Sequence, residues 1–341
     1  MVFKIVKWLV IVVTALVLGI VIVLGVGSSM SLDRDYTHTK KTSDLPFLSA
    51  DSATGIVRIN ANGYQFRTRV AGLTQPAEDA DTVILLHGFP VTSAMWEPII
   101  APLADAGYRV VAFDQRGYSP GARPEDQSAY AIANLVSDVI AIADAVGAEK
   151  FHLIGHDWGA AIGWTTVMQH PQRILTWTGI SIAHPVAFGE ALQSDPDQQA
   201  RSGYFALFTT PYLPEALFTF NDLAMLKGVY TGMTPEQQQE YLEVFSEPGA
   251  LTSGLNWYRQ AGSSLSGGSD LDPLINTPTL FIWGNNDPSA GRVAVEGQQK
   301  YIKGPYRELE LDGGHWLLMQ HPDAIIAAVL QQLASYEGAP D

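Results

Sequence analysis

Asp157 lies in the run Gly155-His156-Asp157-Trp158-Gly159-Ala160, where the apolar stretch 151–154 gives way to a helix-like stretch reaching Gln169. Glycines two places on either side of a reactive side chain permit a tight strand-to-helix turn that lifts it above the strand ends. An Asp in that place, taken alone, is better explained as a cap on the following helix. Three other groups shift the balance. Leu86-His87-Gly88-Phe89-Pro90 comes directly after the apolar run 82–86, Asn285-Asn286-Asp287 after the run 279–283, and Asp312-Gly313-Gly314-His315-Trp316 after the run 307–311. A nucleophile, then an acid, then a histidine, each just past a strand-like run, is the order of a hydrolytic triad. A carboxylate is a poor nucleophile for acyl transfer but displaces at saturated carbon, leaving an alkyl ester on the protein. His315, oriented by Asp287, then activates the water that hydrolyses this ester. The electrophile such chemistry needs is an sp³ carbon, as in an epoxide or a carbon–halogen bond. Asp312 stands nearer to His315 in sequence but reads as a turn residue. Ser181, in Gly179-Ile180-Ser181-Ile182-Ala183, is a loose match to a serine elbow without its second glycine, and is set aside.

These groups need a scaffold that brings strand ends together. Asn62-Gly63 between the alternating runs 55–60 and 64–70 is a hairpin signal. Beyond it, short apolar runs at 82–86, 108–113, 151–154, 174–182, 279–283 and 307–311 alternate with helical patterns near 95–104, 129–146 and 323–335 and one that reaches Gln169 after the turn at 155–159. That alternation predicts a mostly parallel sheet covered by helices on both faces. From 184 to 271 the strand pattern stops, and a helix-like stretch rich in Tyr and Phe reads as an inserted cap. The tract 262–269 is a Gly/Ser-rich connection back to the core. The expected division is an N-terminal anchor or signal (1–31), a linker (32–52), the core's first part (53–183), a helical cap (184–271) and the core's second part (272–341).

From about Gly55 onward the chain resembles the α/β-hydrolase superfamily, and within it the epoxide-hydrolase and haloalkane-dehalogenase branch. His87-Gly88-Phe89-Pro90 is similar to that branch's HGxP motif, and Gly155-His156-Asp157-Trp158-Gly159-Ala160 to its Asp elbow. Asp114-Gln115-Arg116-Gly117-Tyr118-Ser119 is similar to its DxRGYGxS stretch, with Ser119-Pro120 departing from the usual Gly-x-Ser. The resemblance implies an α/β-hydrolase fold with a helical cap, and backbone N–H groups of Phe89 and Trp158 as oxyanion donors. The stretch around Tyr258 resembles the family segment that carries one cap tyrosine, and that around Tyr204 the segment that carries the other. By that likeness the two tyrosines grip and protonate an epoxide oxygen. Thr209-Thr210-Pro211 departs from the Gln-Glu-Pro often found near the Tyr204 segment. Phe205, Phe208, Tyr212 and Trp257 are the expected walls of a pocket for a small apolar substrate. Halide displacement with the same Asp157 is the alternative. It rests on the indole of Trp158, which both groups share, and Phe89 stands where many haloalkane dehalogenases carry Asn or Glu. Epoxide hydrolysis is therefore the expectation. A ligand-binding protein on the same fold is the reading outside enzymes, and the intact Asp157, Asp287 and His315 set speaks against it.

Composition bounds the rest. The 341 residues suit one large domain carrying an insertion. A net charge of −15 offers no basic face for nucleic acid. The absence of cysteine excludes a thiolate nucleophile, a disulfide framework and a zinc–thiolate site. The histidines show no metal-ligand spacing, and no phosphate loop or dinucleotide fingerprint occurs, so neither cofactor nor metal is expected. Residues 8–27 form a run of twenty without a charge, about 30 Å if helical and so one hydrocarbon core. They read as a single-pass anchor in the bilayer, with Lys4 and Lys7 on the cytoplasmic side and the catalytic domain outside the cytoplasm. Gly25-Val26-Gly27 leaves a cleaved signal and an exported soluble protein as the alternative.

Overall fold

The computed structural model describes residues 12–15, 17–19, 22, 54–261 and 271–337. The hairpin forms where Asn62-Gly63 places it. Strands Thr54–Ala61 (β1) and Tyr64–Ala71 (β2) pair antiparallel, and both turn residues have positive φ, 49° and 76°. Two such residues supply the twist that matches flanking strands.

The remaining strands are Thr82–Leu86 (β3), Arg109–Phe113 (β4), Phe151–His156 (β5), Ile174–Ile180 (β6), Thr279–Gly284 (β7) and Tyr306–Leu311 (β8). With the hairpin they make an eight-stranded sheet in the order β1-β2-β4-β3-β5-β6-β7-β8. β2 meets β4 antiparallel, and every pairing from β3 to β8 is parallel. β3 to β7 are buried along their whole length, as strands carrying apolar side chains on both faces require when helices cover the sheet. β8, at the edge, is only half-buried.

Two helices begin later than their periodicity suggests. Ser93–Trp96 forms a 3₁₀ turn and the α-helix runs Glu97–Asp105 (α1), with Pro98 in its first turn, where a missing N–H costs nothing. Gln127–Tyr130 is likewise a 3₁₀ turn, capped by Asp126, before the helix Ile132–Ala145 (α2). Trp158–Gln169 (α3) follows β5 directly.

Between β6 and β7 the chain is helical, as the lost strand pattern predicts: Pro185–Ser194 (α4), Pro196–Arg201 (α5), Tyr204–Phe208 (α6), Leu213–Val229 (α7), Pro235–Ser246 (α8) and Ala250–Ala261 (α9). A buried ionic cluster ties this cap to the sheet. Glu240 on α8 accepts from Arg67 Nη2 at 2.8 Å and also pairs with Arg69, both on β2, while Arg67 also pairs with Asp114. Burying these arginines is tolerable only because each finds a carboxylate.

The apolar run 8–27 and the linker 32–52 fall outside the described residues, apart from helical residues 12–15, 17–19 and 22; so does the connection 262–269. Among the described residues, no helix is long and apolar enough to cross a membrane.

Candidate active site

Asp157 occupies the turn between β5 and α3 with φ 56° and ψ −122°, a conformation that strains any residue bearing a Cβ. Its surroundings explain the glycines of the motif. A Cβ on Gly159 would overlap the carbonyl of Leu86, and one on Gly88 would occupy the space of the Asp157 carboxylate. Those close approaches let the loop after β3 present its backbone to the turn. Phe89 N–H donates to Asp157 Oδ1 at 2.8 Å. Trp158 is the first residue of α3, where N–H groups lack intrahelical partners and the helix dipole favours negative charge.

The other carboxylate oxygen, Oδ2, lies 3.5 Å from His315 Nε2. His315 sits past β8, and its Nδ1 faces both oxygens of Asp287, past β7, at 3.1 and 3.0 Å. Asp287 is fully buried, and its Oδ1 accepts from Ser289 N–H at 2.7 Å. Arg201 at the end of α5 donates to the Asp287 backbone carbonyl, which links the cap to this loop. Burial works against charge at all three groups, but the charges and hydrogen bonds among them prevail. Asp287 is held down at about 2, chiefly by His315 and Ser181, and Asp157 below the ordinary carboxylate value by His315, His156 and Phe89 N–H. His315 is raised to about 10 by Asp287 and Asp157. These directions favour an imidazolium between two carboxylates.

The structure brings Tyr204 and Tyr258 to the same place. Both line, with Asp157 and His315, a cavity of about 290 Å³. Burial first pushes both phenols above their ordinary pKa, helped at Tyr204 by the Asp157 carboxylate and at Tyr258 by Tyr204 and then Asp157, so both are neutral donors at pH 7. Phe208 lines this cavity; Phe205 lines a second one of about 30 Å³, which shares Asp157 and Tyr204 and is bounded by Trp158, Ala161, Ile182 and Phe188.

Two expected wall residues are elsewhere. Tyr212 is 84% exposed at the start of α7. Trp257 is buried away from the cavity, donating its indole N–H to the Arg116 carbonyl at 2.9 Å and packing on Tyr118. Neighbours on a helix point about 100° apart, so with Tyr258 facing the cavity, Trp257 turns into the interface between core and cap.

Other groups at the site escape a reading of motifs. Phe218, Val229, Pro288 and Trp316 complete the apolar wall. His156 Nε2 donates to the His315 carbonyl at 2.8 Å. Ser181, just past β6, approaches both Asp287 and His315. It faces Nδ1 of the histidine, away from the cavity side where Nε2 meets Asp157. Only its place at a strand end hints at this.

A family model for the alpha/beta hydrolase fold matches residues 81–322. Epoxide hydrolase 4 of Mus musculus is 34% identical over 79% of this chain and 76% of its own length. Epoxide hydrolase A of Mycobacterium tuberculosis is 33% identical over 82% of this chain and 97% of its own. The crystal structure of Bacillus megaterium epoxide hydrolase in complex with an inhibitor superposes with a TM-score of 0.73 at 26% identity, covering 81% of this chain and 99% of that one. The matching fold, the order of Asp157, Asp287 and His315 at the strand ends and these relatives agree: the chain belongs to the α/β-hydrolase family, on the branch that holds the epoxide hydrolases.

Proposed function

We propose that this enzyme adds water to apolar epoxides, without a cofactor, to give vicinal diols. The observation that carries the reading is the placing of two neutral phenols, Tyr204 and Tyr258, over the same cavity as a buried carboxylate that faces an imidazole. Asp157 Oδ2 attacks a ring carbon, the C–O bond of the ring breaks, and a tyrosine O–H protonates the departing alkoxide. The Asp157 ester has no charge, so His315 loses one of the two carboxylates that hold its proton; that proton passes to the tyrosinate left by ring opening, and the neutral imidazole becomes a base. It takes a proton from water, which attacks the ester carbonyl. Phe89 and Trp158 N–H groups stabilise the oxyanion at Oδ1; collapse expels the diol oxygen, which takes the proton from His315, and the acid left on Asp157 returns a proton to His315, restoring the resting pair.

Intact-protein mass spectrometry of the His315→Gln variant tests this. Exposed to apolar epoxides it gains the mass of the whole epoxide, and Asp157→Ala abolishes the gain. An alkyl adduct formed only from haloalkanes, with halide lost, replaces the reading with a dehalogenase. Silence from both panels moves the protein towards ligand binding.

Residues 8–27 are proposed as the bilayer anchor that brings the enzyme to lipid-dissolved epoxides, supported by the uncharged run and by Lys4 and Lys7 before it. Extraction of the full chain from membranes by alkaline carbonate without detergent removes this proposal.

A further inference from the structure

Ser181 follows β6 with φ 76°, a left-handed conformation unfavourable for a residue with a Cβ. Its N–H donates to the Ile282 carbonyl of β7 at 2.9 Å, so the residue is pinned between neighbouring strand ends. Its side chain is fully buried, with Oγ 2.5 Å from Asp287 Oδ2 and 3.0 Å from His315 Nδ1. A hydroxyl has one proton and two lone pairs, and a carboxylate only accepts. Ser181 therefore gives its proton to Asp287 and accepts from Nδ1–H, which it shares with the two Asp287 oxygens at 3.1 and 3.0 Å. One orientation satisfies all three groups.

We propose that Ser181 is a positioning residue for the acid and base. It fixes the Asp287 carboxylate and the plane of the His315 ring, and so aims Nε2 at the water that attacks the ester. The Asp157 carboxylate is held at 2.8 Å by Phe89 N–H, and Ser181 reaches it only through His315, 3.5 Å away, so the hydroxyl acts chiefly on ester hydrolysis. This division of steps rests on Asp157 as the nucleophile. The strained backbone is the means: only at that φ does a side chain leaving β6 turn back between the loops after β7 and β8.

The test uses the full chain with Ser181→Ala and Ser181→Gly. Both remove the hydroxyl, but glycine also removes the backbone strain, so a defect due to the hydroxyl is common to both. One readout needs no substrate: the proton NMR signal of His315 Nδ1–H, identified by its loss in His315→Gln. It is expected to shift in both variants, and an unchanged signal overturns the proposal. The other is a single turnover followed by intact mass. Ester formation is expected to stay within about twofold while hydrolysis slows about tenfold, the worth of one buried hydrogen bond, so that ester accumulates and kcat falls at constant kcat/KM. Equal loss in both steps, or normal hydrolysis in Ser181→Gly, overturns it. If the wild type forms no ester with any epoxide, the functional reading fails, and the Nδ1–H signal by itself decides the role of Ser181.

Discussion

His156 donates its Nε2 proton to the backbone carbonyl of His315 across 2.8 Å, and the two rings lie 4.6 Å apart. A carbonyl only accepts, so Nε2 carries the proton. Burial, with His315 nearby, depresses the His156 pKa to about 4 and keeps the ring neutral. The residue before Asp157 thus holds the loop that carries His315. His156→Phe keeps the ring's shape and loses this bond. Ester hydrolysis is expected to slow about tenfold with little change in ester formation, as stopped-flow and quenched mass measurements will show. Unchanged hydrolysis makes the bond incidental.

In the proposed reaction Tyr204 and Tyr258 share the protonation of the leaving oxygen, and they are expected to substitute for each other in part. Tyr204→Phe or Tyr258→Phe alone should slow ester formation by about 10- to 100-fold, and the double variant by about 10²- to 10⁴-fold, the usual worth of a general acid. Hydrolysis of an ester already formed should not change. A double variant that opens epoxides at the wild-type rate assigns protonation to another group.

The raised pKa of His315 carries a stability that depends on pH. Burial opposes its charge, but Asp287 and Asp157 outweigh burial and lift it from 6.5 to about 10. A group raised on folding contributes fully below its unfolded value and loses that contribution as pH rises through the folded one. The Tm difference between wild type and His315→Gln is therefore expected to be largest near or below pH 6.5 and to shrink towards pH 10. A gap that stays constant over this range contradicts the imidazolium between two carboxylates.

The two cavities at Asp157 differ tenfold in size, about 290 against about 30 Å³. A dry cavity of about 150 Å³ accepts benzene, so the larger has room for two rings and the smaller for a methyl-sized group. Terminal epoxides with one bulky apolar substituent should exceed trans-1,2-diaryl epoxides in kcat/KM by about 100-fold or more. Phe188, buried on α4 in the wall of the smaller cavity, sets that limit, and Phe188→Ala should narrow the gap. Similar kcat/KM for both substrate classes in the wild type removes the argument.

Asp157, Asp287 and His315 are legible in the sequence because each belongs to a short-range pattern. Glycine spacing marks a tight turn, apolar runs mark buried strands, and a parallel sheet brings the ends of its strands to one edge. The hairpin at Asn62-Gly63 and the sheet's buried strands are local in the same sense. Ser181 and His156 could not be read this way, because their partners lie 134 and 159 residues away, in contacts that only the docking of neighbouring strands creates. Tyr212 and Trp257 show the other reason. A pattern of aromatic residues predicts a cap, but a helix turns about 100° per residue, and its rotation is set by packing against the core. That rotation faces Tyr258 into the cavity and Trp257 into the interface, while Tyr212 stays in solvent. Local sequence determined the elements and the turn chemistry around Asp157, Asp287 and His315; tertiary packing decided which of the remaining side chains surround them.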